Sequence, residues 1–368
     1  MQHYTLTGRQ TERINWIDIV RCFAIICVVV NHAIETTYTL TLEGLKTFSM
    51  QSRVFAFGGF TFGRLGVPLF LMISGYLLLD RNWDQERCLE FWKTNWLNLF
   101  ICTEIWWVIY DLFITVYYKT PFHVIEFIQD ILFLKKISLL HVWYMPMILG
   151  LYILIPIAGM ALQNFDTKHL LFPILIFSAY SFGYPILSRM FNAIGHPLSL
   201  QFSLGFSGGV YGLFLVFGYL IKKNIFNKIP KLFFAVIFVG AFCATVLYQI
   251  NEYRMDRQYN VWYDNGLLAL CAVALMVLFS KVLPSIEITM KTMGVIRNLS
   301  EDSFGIYLVH TMILAVIQPF VHSVIKVRPI YPIQSVCLAI TVFFLSWLLV
   351  ECCRKIPIFG TKIFNIKQ

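Results

Sequence analysis

The chain has 368 residues, of which 58% are hydrophobic and only 13% charged, against about 45–50% apolar and roughly 25% charged in a soluble globular domain. That excludes an ordinary soluble enzyme, and 34 Phe, 18 Tyr and 9 Trp exclude disorder, a collagen-like repeat and a disulfide-stapled secreted module. The formal charge of +9 is scattered over short loops without forming a stripe, so it points to membrane topology and not to nucleic acid.

Apolar stretches able to cross about 30 Å of hydrocarbon at 1.5 Å per residue fall near 14–34, 54–79, 95–117, 140–162, 169–187, 201–222, 231–250, 259–281, 302–320 and 332–352. They are continuous and not alternating, which predicts an all-α, polytopic membrane helical bundle of about ten helices. No long polar stretch interrupts them between residues 14 and 353, so one integral-membrane domain over 1–368 is expected, with short tails at 1–13 and 354–368. Lys and Arg number 17 on the side of the N-terminal tail and 10 on the other. That bias places both termini in the cytoplasm. A cleavable signal is not expected, because the first run follows Arg9, Glu12 and Arg13 and itself carries Asp18 and Arg21. The nine cysteines lie mostly inside apolar runs without metal-type spacing, so they are assigned to packing and no metal is expected.

A charged group in a spanning helix costs roughly 2.5–3.5 kcal/mol on insertion scales, so each one asks for a partner or a function. The first helix, INWIDIVRCFAIICVVVNHAIE, carries Asp18, Arg21, His32 and Glu35. Arg21 and His32 fall within about 20° of one another around the axis and about 16 Å apart along it. Asp18 neighbours Arg21, and Glu35 neighbours His32, so one polar stripe runs nearly the length of the helix. Two uses fit: an Asp18–Arg21 ion pair with interfacial His32 and Glu35, or a histidine general base supported by a carboxylate. A proton relay in a transporter is the other functional use.

The second crossing holds Gly58, Gly59, Gly63, Gly66, Gly75 and Pro68 around Arg64. A broken helix is expected, with glycines admitting close backbones and the Arg either offering a planar fork suited to phosphate or pairing with an acidic residue elsewhere. Ser74 lies in ISGY and lacks a nucleophile-elbow setting, so its default role is packing or local hydrogen bonding. The fourth crossing opens with His141, Trp143 and Tyr144 at the outer boundary, as an aromatic belt or as ligand contacts. In the ninth, Ser303, Tyr307 and His310 share one helical face, with His310 in mid-membrane.

Arg21-x10-His32, preceded by Asp18, resembles the signature of the membrane acyltransferase-3 family. GVPLFLMISGYLL (66–78), HVWYMPMILGLYILIP (141–156) and SFGIYLVHTMIL (303–314) resemble three further blocks of that family, in order and across nearly the whole chain. The subgroup it most resembles is the stand-alone one typified by the O-acetyltransferase of enterobacterial common antigen. The resemblance implies a multi-pass enzyme of the bacterial cytoplasmic (inner) membrane, using acetyl-CoA as co-substrate. It would deliver the acetyl group to a hydroxyl of a cell-surface polysaccharide or its lipid-linked precursor. Membrane lipid and the glycan are then the expected partners, and oligomeric state is open. By this likeness Arg21 and His32 form the essential pair, with His32 nearest the acyl group. Where the family often has Arg-x-x-Arg, this chain has Arg64 and Val67, so one arginine is matched, and Lys93 and Arg87 are further candidates for donor phosphates.

The expected roles follow. His32 is the base, Glu35 orients it, Arg21 holds the donor or Asp18, and Tyr307 or His310 stabilises the oxyanion. Arg64, Asp18 and Ser74 form the donor side, and His141, Trp143 and Tyr144 the acceptor side. Direct transfer and an acetyl-histidine intermediate use the same imidazole and stay open. A glycan or lipid-linked sugar exporter without transfer chemistry is the alternative.

Overall fold

The computed structural model describes residues 13–134, 141–196, 198, 209–324, 330–356, 360 and 363–365. Backbone polar groups inside hydrocarbon must be satisfied within their own segment, and the described crossings are accordingly helices. They are α1 (Asn15–Tyr38), α2 (Met50–Arg64), α3 (Gly66–Leu78), α4 (Gln85–Tyr117), α5 (Tyr144–Gln163), α6 (Thr167–Ala193), α7 (Gly209–Lys222), α8 (Lys231–Arg254), α9 (Gly266–Val282), α10 (Met290–Val324) and α11 (Tyr331–Arg354). The expected helical bundle is the observed one. Among the described residues nine helices are long and apolar enough to cross a membrane, α2 and α3 counting as one. The tenth, α7, has 14 residues and reaches only about 21 Å. Its expected start at residue 201 lies outside the described residues.

Several boundaries differ from the hydropathy reading. Capped by Asp84, whose Oδ1 accepts from the Arg87 amide at 2.8 Å, α4 starts ten residues before 95 and passes through a π-helical turn at Trp92–Trp96. Likewise α10 starts at Met290 and not at 302. Hydropathy sees only the part of a helix that suits lipid, and polar helical extensions continue past it. In contrast α9 starts late, at Gly266 behind an Asn265 cap, so residues 255–265 are a loop.

The innermost helix is α1, which packs on α2, α3, α10 and α11. Glycines set how closely α2 and α3 approach it. A Cβ on Gly63 would sit 2.6 Å from the Asn31 Cα, and one on Gly66 2.6 Å from the Ala24 carbonyl oxygen. The expected break is a kink at Leu65, because Pro68 has no amide to give the Arg64 carbonyl four residues back. Outward faces are apolar, as on α8, where Leu232, Val236, Val239 and Leu247 are exposed while buried Gln249 donates to Thr61 Oγ1 at 2.8 Å.

At the end of the bundle where α1 begins, charges close the fold. Arg13 Nε lies 2.7 Å from Asp18 Oδ2, and Arg13 Nη1 lies 2.5 Å from Glu301 Oε1. Arg354 pairs with the same Glu301, and with fully buried Asp302 at 3.3 Å. Residues 13 and 354 therefore lie at one end of the bundle, as an even number of crossings requires. A Gly63→Val protein should lose about 1–3 kcal/mol or more by overpacking against the α1 backbone, read as a lower midpoint in a thermal size-exclusion assay. An unchanged midpoint would contradict the close approach.

Candidate active site

Polar groups on five elements meet around His32. Its Nδ1 lies 2.7 Å from Glu35 Oε2, one helical turn on. The other carboxylate oxygen, Oε1, lies 3.1 Å from Arg64 Nη2. The Gly63 contact and the kink at Leu65 bring Arg64, only 5% exposed, up to α1. Arg64 Nη1 donates to the Tyr263 hydroxyl at 3.3 Å, and its Cζ lies 4.4 and 4.5 Å from the ring centroids of Trp262 and Phe60. The guanidinium is thus neutralised by Glu35 and bedded on aromatic faces, an arrangement favourable for a desolvated cation.

Because a carboxylate only accepts, His32 Nδ1 carries the proton toward Glu35 and Nε2 keeps its lone pair. Two more imidazoles stand near, His310 with its ring centroid 5.2 Å and His141 6.1 Å from that of His32. Their hydrogen bonds fix their tautomers. His310 Nδ1 lies 2.6 Å from the Tyr307 carbonyl and 3.2 Å from that of Ile306, so Nδ1 is protonated and the buried Nε2 is a bare acceptor without a partner. Tyr110 gives its one hydroxyl proton to the Leu308 carbonyl, so it accepts from His141 Nε2 at 2.7 Å, and Thr311 Oγ1 stands 3.1 Å from the same nitrogen. Among the described residues no group of three or more His, Cys, Asp or Glu comes together in a metal-binding arrangement.

A small cleft with a cavity volume of about 20 Å³ opens beside these groups, lined by His32, Arg64, His141, Trp143, Tyr144 and Tyr307 from the expected set. Asn31 and Tyr263, which the sequence reading did not single out, line it as well. Tyr263 belongs to the 255–265 loop that hydropathy merged into a helix. The polar run Asp264-Asn265-Gly266 was the available signal, being a helix cap. In the same loop Asn265 Nδ2 donates to the Tyr259 hydroxyl at 2.9 Å, and burial pushes the Tyr259 phenol up to about 12. Trp143 packs on Tyr211, Trp262 and Tyr263 at centroid distances of 5.3–5.5 Å, which walls the cleft with aromatic rings.

Other expected residues are placed differently. Asp18 is paired with Arg13 and accepts from Ser300 Oγ at 2.6 Å, so its carboxylate is engaged by these two groups and makes no ion pair with Arg21. Arg21 is half-buried and has no hydrogen bond or ion pair among the described residues. Ser74 Oγ lies 3.3 Å from the Tyr152 hydroxyl, the local hydrogen bond expected by default. Arg64, expected at donor phosphates, is committed to Glu35 and Tyr263. Neither expected oxyanion donor has a proton to offer: the Tyr307 hydroxyl donates to the His141 carbonyl at 2.6 Å, and His310 presents a lone pair. Tyr263 does have one, since its hydroxyl accepts from Arg64 and its own proton is directed nowhere else.

The family described as an acyltransferase domain matches residues 14–351. The chain is also similar, at 24% identity, to a protein of Enterococcus faecalis described as an amino-acid racemase, over 96% of this chain and 48% of that protein. It therefore spans about half the length of the curated relative it matches. No solved structure matches it.

Arg64→Met removes the cation facing a partly buried carboxylate, and breaking such a pair costs about 3–5 kcal/mol. The variant should melt correspondingly lower. Adding Glu35→Gln to it should recover part of the loss, and a double variant no more stable than the single would break the assigned pairing.

Proposed function

The chain belongs to the acyltransferase-3 family, and from that premise we propose that it moves an acetyl group from cytoplasmic acetyl-CoA to a hydroxyl of a cell-surface polysaccharide or its lipid-linked precursor. The setting proposed is the bacterial cytoplasmic membrane, and the acceptor proposed is of the class used by the enterobacterial common antigen subgroup. One observation carries the reading. His32 is held by Glu35 through Nδ1 and presents its basic Nε2 in a partly enclosed cleft, the arrangement by which a carboxylate-supported imidazole deprotonates a hydroxyl.

The steps follow from this chain's groups. The acceptor hydroxyl enters past Trp143 and Tyr144, and His32 Nε2 takes its proton. The oxygen forms a bond to the thioester carbonyl carbon, and the resulting oxyanion receives the Tyr263 hydroxyl hydrogen bond, strengthened by Arg64 behind it. The carbon–sulfur bond then breaks, and the departing thiolate takes the proton from His32. Glu35 offsets the transient imidazolium charge, and Arg64 keeps Glu35 ionised and oriented. A transporter would use the same histidine as a proton relay and would consume no acetyl-CoA.

Membranes holding the chain should transfer label from radiolabelled acetyl-CoA into a base-labile ester, and His32→Ala at matched protein level should transfer none. Glu35→Gln should lower the rate about 10²–10⁴-fold, with protein yield maintained. A labelled acetyl-enzyme that is lost in His32→Ala would replace direct transfer by a covalent intermediate. No transfer by the folded unmutated chain, with a demonstrated acceptor present, would move the assignment to transport.

A further inference from the structure

At the end of the bundle where α1 begins, α3 and α7 stop side by side. A Cβ on Gly75 would fall 1.8 Å from the Leu215 carbonyl oxygen and one on Gly218 1.9 Å from that of Met72, so the two backbones touch. This contact juxtaposes Asp80 and Arg81 with Lys222 and Lys223. Lys223 Nζ lies 2.5 Å and Lys222 Nζ 4.0 Å from the single carboxylate of Asp80. Lys222 Nζ also stands 5.6 Å over the Tyr76 ring, which packs edge-on against Trp16 of α1 at 5.3 Å. Arg81 uses only its Nε, on the Leu77 carbonyl, which leaves the rest of its fork free. Deeper in, Arg21 makes no hydrogen bond or ion pair among the described residues, Asp18 is its neighbouring carboxylate, and the Tyr152 phenol stands within electrostatic reach of both Arg21 and Arg81. Three cations, Arg81, Lys222 and Lys223, therefore gather around the one carboxylate of Asp80. Two helix C-termini offset about one unit of that excess, and a net positive charge is left where the bundle meets the membrane surface.

We infer that Arg81, Lys222 and Lys223, with Arg21 deeper along α1, form a phosphate-binding site that holds a phosphorylated ligand at the cytoplasmic mouth of the bundle. A planar arginine fork and compact ammonium groups are the side chains that bind phosphate oxygens. The site is separate from the His32 cleft and lies about 16 Å from it along α1. A carrier anchored here by its phosphates must reach the cleft with an extended arm, as an acyl-CoA does. An anionic phospholipid headgroup offers the same chemistry from the membrane. The acyl-CoA source rests on the acyl-transfer reading above, and the phosphate site itself does not.

The experiment uses the full chain in nanodiscs of zwitterionic lipid, titrated with unacylated CoA, and in parallel discs containing phosphatidylglycerol, with bound lipid counted by native mass spectrometry. Lys222→Gln with Lys223→Gln should raise the CoA Kd about tenfold or more. Asp80→Asn should lower it several-fold, a gain that no misfolded protein gives. If the CoA Kd is unmoved but the double variant loses bound phosphatidylglycerol, the site holds and its source is the headgroup. If neither ligand responds to any of the three substitutions, the proposal is overturned. Acetyl transfer is measured on the same samples: CoA binding without transfer sets aside the enzymatic reading and keeps the site. Transfer with an unchanged donor KM in the double variant does the opposite.

Discussion

A carboxylate inside a membrane protein survives ionised only where cations or donors replace the water it has lost, and Glu35 has both in one plane of the bundle. One oxygen meets His32 and the other meets Arg64. Everything distinctive about the cleft follows from satisfying that group. Arg64 has to stand beside α1, so α2 has to lose its side chain at Gly63. Arg64 in turn needs a bed, which Phe60 and the loop carrying Trp262 and Tyr263 supply. The same arrangement fixes the proton on the Glu35 side of His32 and leaves the lone pair on the far side, so structural compensation and chemical reactivity come from one interaction.

The two other histidines show how hydrogen bonding to the backbone decides chemistry. Each is deeply buried, and each has one nitrogen occupied by groups that leave its tautomer no choice. Tyr110, Thr311 and Tyr307 hold His141 from α4 and α10, clamping the turn before α5 to the rest of the bundle. Such a clamp suits a site whose wall residues, Trp143 and Tyr144, follow directly in sequence.

Much of this was legible before any coordinates. The periodicity of α1 gave a single polar stripe, and the glycines with Pro68 gave a broken neighbour packed close to it. The one-turn spacing of His32 and Glu35 led directly to their contact, because helix geometry alone sets it. Pairings across distant segments were not legible. Asp18 looked like a partner of Arg21 because only local neighbours are visible in a sequence, whereas Arg13 and Ser300 claim it in three dimensions. For Arg64 an acidic partner elsewhere was one of two readings, and the sequence did not say that it is Glu35. Tyr263 and Trp262 were hidden because aromatic residues raise hydropathy whether they lie in a spanning helix or in a loop folded over a site.

The charged closure around Glu301 has a bearing on how the protein is made. Arg13 and Glu301 are 288 residues apart, so the partner that steadies the start of α1 is synthesised when most of the chain is already in the bilayer. The Arg64–Glu35 pair, separated by 29 residues, forms within the first hairpin. Biogenesis thus divides the polar stripe in time: its distal half is settled early by α2, while Asp18 and Arg13 await α10 and then Arg354 of α11. Long-range closure of this kind is slow and leaves polar surface exposed in the interim. The reactive cleft, which needs Tyr307 from α10, is assembled only after nearly the whole chain has been made.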